Sequence, residues 1–167
     1  MAAMTAKAQF SLSPHGIVDG HGHNYVVVQY KGMNRSSISS MIASNLRKSF
    51  ISNDDKLEQN DSTIIVSGRK NNCISDKAVV AFAGARHIAY KFVIDIRDGR
   101  ARVRPTEVFL SSFAEKSYPN FTTTNWTNVV TFKKDGSVRN KTTASSLEAF
   151  LNNFVKIISS PQKESEW

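Results

Sequence analysis

Three groups of side chains in this chain could do chemistry. The first is Val18-Asp19-Gly20-His21-Gly22-His23, with an aspartate and two histidines on alternate positions. In extended backbone alternate side chains point the same way, so His21 and His23 could share a metal ion that activates water for hydrolysis. The second is Cys73, the chain's one cysteine, close to Arg69 and Lys70, where neighbouring cations favour a thiolate. The third is a run of cations, Lys91, Arg97, Arg100, Arg102 and Arg104. Placed on one face of a strand pair, they would attract anions.

The first two groups lack partners. A D-x-H-x-H opening belongs to the amidohydrolases, whose further ligands sit on other strands of a (β/α)8 barrel of about 250 residues. This chain has 167 residues and four histidines, three of them (His15, His21 and His23) in a glycine-rich segment. A closed metal site needs at least three protein ligands in fixed geometry, so no metal is expected. No motif sets a histidine beside Cys73. Gly20-His21-Gly22-His23-Asn24-Tyr25 misses the dinucleotide fingerprint at its third glycine and precedes a strand instead of following one. With no phosphate-binding loop and no G-x-S-x-G either, neither catalytic residues nor a cofactor is expected. The reading is of a protein that is not an enzyme.

Length fits one domain with a core of its own, and a 40% apolar share with ten phenylalanines suits a packed interior. One cysteine excludes an intrachain disulfide. No run of about 18 apolar residues is present, so no transmembrane segment is expected. Residues 1–14 lack an apolar stretch of about 7–15 residues and are not read as a signal peptide. The net charge is +8, and two short segments hold nearly all of it. Residues 86–104 carry six cations against two aspartates, and residues 133–141 carry four against one.

The elements that would position these cations follow from periodicity. Residues 1–23 read as a flexible tail, and 160–167 as a second tail. Asn24–Tyr30 is rich in β-branched and aromatic residues, apolar on both faces, and suits a central strand. Residues 35–51 place Ile38, Met41, Ile42, Leu46 and Phe50 at helical spacing, with Asn34 available as a cap. A polar linker at 53–61 leads to a strand at 63–68, and Ala78–Phe82 suggests a further short strand. From 87 to 110 apolar and polar residues alternate around Asp98-Gly99, the strongest short hairpin signal. A two-residue turn sets the register. Arg97 then faces Arg100, Asp95 faces Arg102 and Val93 faces Arg104, with Ile96–Ala101, Ile94–Val103 and Phe92–Pro105 on the apolar side. Pro105 calls for a bulge, which would turn Thr106, Val108 and Leu110 inward and Glu107 outward. Asp135-Gly136 suggests a second hairpin across 128–140. A helix is expected at about 145–158, opened by the capping-box spelling Ser145-x-x-Glu148.

Neighbouring strands joined by hairpins make a largely antiparallel sheet, and two helices with one apolar stripe each pack on one face of it. The expected class is α+β, a single domain over 24–159. The apolar strand, the helix, the TIIVSG strand, and the hairpin Tyr90-Lys91-Phe92-Val93-Ile94-Asp95-Ile96-Arg97-Asp98-Gly99-Arg100 closed by a C-terminal helix resemble a family, DUF4468. That resemblance implies a TBP-like fold and a periplasmic or cell-envelope setting, since the family occurs in exported proteins of Bacteroidetes. It brings no catalytic residues.

What remains for function is a binding or accessory module with a basic sheet face. The first reading of Lys91, Arg97, Arg100, Arg102 and Arg104 is a solvated charged face that discourages edge pairing, with the ligand unknown. Binding of an anionic polymer, lipid headgroup or acidic protein by these five cations ranks second. Nucleic acid ranks below these, because the outward positions of this hairpin include no aromatic for base stacking. A nucleic-acid-binding domain and an enzyme of unrecognised type are the rival classes.

Overall fold

The computed structural model describes residues 9–71, 85–112 and 124–161. Its centre is the hairpin of β6 (Ala85–Arg97) and β7 (Arg100–Ser112). Asp98-Gly99 forms the tight turn, with Gly99 at φ +76°, a conformation glycine adopts without steric cost. Every cross-strand pair expected from the turn is present, from Arg97↔Arg100 to Phe92↔Pro105. The register then slips by one residue, so Lys91 faces Glu107 and Thr106 is the extra residue. Beyond the bulge Val108 and Leu110 are buried and Glu107 is exposed. Thr106 departs from expectation. As the bulged residue it stays exposed, and its hydroxyl donates to the Lys91 carbonyl at 3.2 Å.

Four further strands extend this hairpin into one sheet. β5 (Thr63–Lys70) pairs with β6, and β4 (Lys56–Gln59) pairs with β5 at one edge. β3 (Val26–Gln29) pairs with the turn end of β7, and the two-residue β8 (Thr124–Asn125) with its other end. All of these pairings are antiparallel, in the order β3-β7-β6-β5-β4. The apolar run at 24–30 is therefore an edge strand, not a central one. Its alternation is real: Val26 and Val28 are buried while Val27 and Gln29 are exposed.

Helices α1 (Arg35–Ser49) and α2 (Lys141–Ser159) cover one face of the sheet. The Asn34 side chain caps α1 by accepting from Ser37 N at 2.8 Å. Ile38, Ile42 and Leu46 of α1 meet Leu147, Leu151 and Phe154 of α2 in one core with Ile64, Phe92, Ile94 and Ile96 of the sheet. Phe154 stacks on Phe92 with ring centroids 3.8 Å apart, and Phe50 meets Phe154 edge-on. Such aromatic pairs add about 1 kcal/mol each to area burial. The two-layer α+β architecture read from periodicity is the one observed.

Four boundaries differ from the reading. Residues 9–23 are not a free tail: β1 (Ser11–Ser13) and β2 (Gly16–Val18) form a hairpin, and Phe10 is buried in the core. The Asn152 side chain of α2 bonds both the N–H and the C=O of Phe10, and the Glu148 carboxylate accepts from Leu12 N. Glu148 is thus drawn away from the capping box, and α2 begins four residues earlier than Ser145. The stretch 53–61 holds β4, whose side chains show no clear alternation. The second D-G turn forms, with Gly136 N donating to Lys133 O, but only one bridge, Phe132↔Val138, follows it. The strand expected at 78–82 and Cys73 lie outside the described residues.

Candidate anion-binding face

Among the described residues the helices cover one face of the sheet and leave the other open, and the hairpin register decides what that face shows. Arg97 and Arg100, Asp95 and Arg102, and Val93 and Arg104 are cross-strand pairs on that face. Neighbouring strands complete the rows, Gln29 beside Arg100 and Val27 beside Arg102, with Thr63 beside Asp95 and Ile65 beside Val93. Lys91 stands on the same face opposite Glu107 and Ser67.

All five cations singled out in the sequence therefore face outward, but they do not act as one set. Arg102 reaches Asp95 Oδ2 through Nη2 at 2.9 Å and Nε at 3.2 Å, and Arg104 Nη2 donates to the same oxygen at 3.3 Å. One carboxylate oxygen thus serves two guanidiniums. Lys91 lies beyond the bulge with Glu107 at 3.9 Å, six residues from Arg97 and so roughly 20 Å along the strand. Arg97 and Arg100 make no ion pair among the described residues, although they sit directly opposite each other. Like charges in that position are destabilising.

Around these two arginines lies an open cavity of about 390 Å3. Its lining comprises Arg97, Arg100, Arg102 and Asp95 from the hairpin, Tyr25 and Val27 from the β3 segment, and Ser62 and Thr63 from the start of β5. The last four were not found from sequence, because they reach the site only through the pairing order of the sheet. The Arg102 guanidinium lies 5.5 Å from the centre of the Tyr25 ring, within cation–π range. The basic face is not free of aromatics, but this ring is already occupied by an arginine.

A second hollow lies at the start of α1, lined by Asn34, Arg35, Ser36, Arg97 and Asp98. Helix N-termini attract anions, and this one holds its own. Asp98 of the turn accepts from Arg35 N at 2.7 Å. The same turn is tied down by Tyr30 N to Gly99 O and Gly99 N to Met33 O, so the arginine pair stands on a fixed base.

Of the other two chemical groups, only the histidine segment falls among the described residues. In the 18–23 segment Asp19 organises the loop. Its carboxylate accepts from His21 N, His23 N and the His23 ring, each within 3.0 Å. Local desolvation raises its pKa, but these bonds outweigh that and hold it at about 2. His23 stacks on Tyr25 with 5.1 Å between centroids. Among the described residues no three histidine, cysteine, aspartate or glutamate side chains are grouped to hold a metal.

A buried ion pair among the described residues has no signature in the sequence. Asp55, just before β4, has a side chain with no solvent exposure. It accepts from Ser52 N, Ser52 Oγ, Arg69 N and Lys70 Nζ. Lys70 also donates to the Phe50 carbonyl at the end of α1 and lies 4.6 Å over the Phe50 ring. Burial raises the Asp55 pKa, but Lys70 and the two backbone donors bring it below the usual carboxylate range. Burial and the nearby Asp55 charge push the Tyr90 hydroxyl far up. Gly68 makes the cluster fit: a Cβ there would lie 1.8 Å from Asp55 Oδ1. Every Asp55 oxygen is occupied, so the cluster locks α1 to β5 and offers no free acid or base.

No family model matches the chain, and no curated protein matches it. Two solved structures do. A DUF4468 family protein from Bacteroides ovatus superposes with a TM-score of 0.56 at 13% identity, over 84% of this chain and 87% of its own. A TBP-like protein from Parabacteroides distasonis gives 0.54 at 14% identity, over 83% and 92%. The fold is TBP-like. At this identity the match speaks for the TBP-like architecture alone, the one that the hairpin 90–100 and its flanking elements resembled in sequence. No described helix is long and apolar enough to cross a membrane.

Proposed function

We propose that this TBP-like domain is a non-enzymatic binding module whose uncovered sheet face takes an anionic partner, working in the cell envelope as the resemblance to exported DUF4468 proteins implies. The observation that carries the reading is the Arg97–Arg100 pair. Two guanidiniums are held opposite each other on a fixed turn, with no ion pair to either among the described residues, an arrangement that costs stability. Local conflicts of this kind mark places where function is selected over folding. The cavity beside them is open to solvent and lined by Arg97, Arg100 and Arg102, which suits an anionic partner. Asp55 is the only carboxylate the described structure closes off from solvent with a cation, and its valences are full. That supports binding over catalysis. Nucleic acid is disfavoured because the Tyr25 ring is already stacked on by His23 and approached by Arg102, and is not free to stack a base.

The test is retention on immobilised heparin and on vesicles containing phosphatidylglycerol. The parent should bind both, with retention falling as salt rises through the range where the Debye length shortens from about 30 to 8 Å. The triple variant Arg97→Glu, Arg100→Glu, Arg102→Glu should fold normally and lose retention on both. Equal retention of parent and variant would remove this face as a site.

A further inference from the structure

The two edges of the sheet are not alike. β4 carries Lys56 and Glu58 on its outward face, charges of the kind that keep an edge from pairing with other chains. β3 reads Val-Val-Val-Gln and has no charge, proline or glycine to guard it. Its unpaired side can be derived from the hairpin. Arg97 and Arg100 close a two-residue turn, so Arg100 and Arg102 direct their backbone bonds to β6, and Ala101 and Val103 direct theirs to β3. Ala101 pairs with Val28, and Val103 with Val26. The N–H and C=O of Val27 and Gln29 therefore point away from the sheet. Among the described residues nothing bonds to them. Val27 is also the one large apolar side chain exposed among the described residues, at 36%.

We propose that an extended acidic peptide from a partner protein adds as a strand to the free edge of β3, which names the class of anion on the reading that the basic face binds one. Cross-strand neighbours share a face. Residues of the incoming strand opposite Val27 and Gln29 thus project onto the open face, next to the row that holds Arg102 and Arg100. Arg100, which makes no ion pair among the described residues, is long enough to reach across Gln29 to a carboxylate, and Arg102 can reach across Val27 on exchanging Asp95 for the incoming acid. Residues between them point to the helix side, beside buried Val26 and Val28, and should be apolar. The recognised pattern is acidic, apolar, acidic along an extended segment. With two residues offering main-chain bonds, strand addition alone is weak, so the guanidiniums must supply the remaining affinity and the register. A second copy of this chain fits poorly, since it would bring the same arginines instead of carboxylates.

The experiment uses a fluorescent synthetic decapeptide alternating glutamate and valine, and the same peptide with alternate backbone nitrogens methylated on the edge that would face β3. Both carry the same charge. The first should bind the intact protein at low salt, and the methylated peptide at least tenfold more weakly. Amide hydrogen exchange at Val27 and Gln29, but not at Val26 and Val28, should slow when the first peptide is bound. Equal binding of the two peptides would overturn strand addition while leaving an anion-binding face. Retention on heparin without binding of either peptide would do the same. Loss of heparin retention as well would overturn both readings. A concentration-dependent dimer in sedimentation, abolished by Val27→Pro, would overturn the peptide in favour of self-pairing.

Discussion

Asp55 and Asp95 are both aspartates that meet basic side chains on this sheet, and they have opposite surroundings. The Asp55 side chain has no solvent exposure, with Lys70 and three further donors on its carboxylate. Asp95 stands on the open face, about a third exposed, and is shared by Arg102 and Arg104. At Asp55 donors and acceptors balance. At Asp95 cations outnumber the carboxylate, and Arg97 and Arg100 nearby have none. A buried charge must be fully paired because an unpaired one costs several kcal/mol, so the Asp55 cluster is closed by necessity. An exposed face faces no such demand, and the excess there is free to act on a partner.

Breaking the closed cluster should give the largest effect. Asp55→Ala leaves Lys70 wedged against Phe50 without a counter-charge, and urea denaturation should report a loss of about 3 kcal/mol. Gly68→Ala should cost about 2 kcal/mol by forcing the Asp55 carboxylate out of its seat. Acid should act on the same group. Its folded pKa lies below the unfolded carboxylate value of about 3.9, so its contribution is complete above that value and is lost as pH falls through the folded pKa. The stability gap between parent and Asp55→Asn should therefore narrow in denaturation curves taken below about pH 4. A gap that stays constant down to pH 2 would mean the carboxylate is not the charged partner the geometry makes it.

Much of the fold was legible in sequence for a local reason. Asp98-Gly99 is a two-residue turn, so the pairing of β6 with β7 follows by counting, and the outward arginines with it. The stripes of α1 and α2 are equally local. What could not be read depends on distant neighbours. Lys56–Gln59 becomes a strand because β5 offers it a ladder, and its own pattern says little. Phe10 enters the core because Asn152 holds its backbone from across 142 residues. Glu148 spells a cap and serves Leu12 instead. The binding face divides the same way: its arginines come from the hairpin, whereas Tyr25, Val27, Ser62 and Thr63 come from strands whose order the sequence does not display. Asp55 was passed over as a loop residue because its partners, Ser52 apart, come from β5.

The smallest expected effect sharpens the comparison most. Asp95→Asn keeps the shape of the side chain and removes its charge. If the open cluster were a stabilising device like that around Asp55, the variant would lose several kcal/mol. Its partners are about a third to a half exposed, however, and such pairs contribute about 0–1 kcal/mol. Thermal denaturation should therefore move by no more than a few degrees. Binding should move the other way. Arg102 and Arg104 lose the one carboxylate that competes with an incoming anion, so the variant should elute from heparin at higher salt than the parent. A marginal loss of stability with a gain in retention is the signature of a face kept positive for a partner. A large loss of stability with unchanged retention would make Asp95 a second Asp55, and the two clusters would no longer differ in kind.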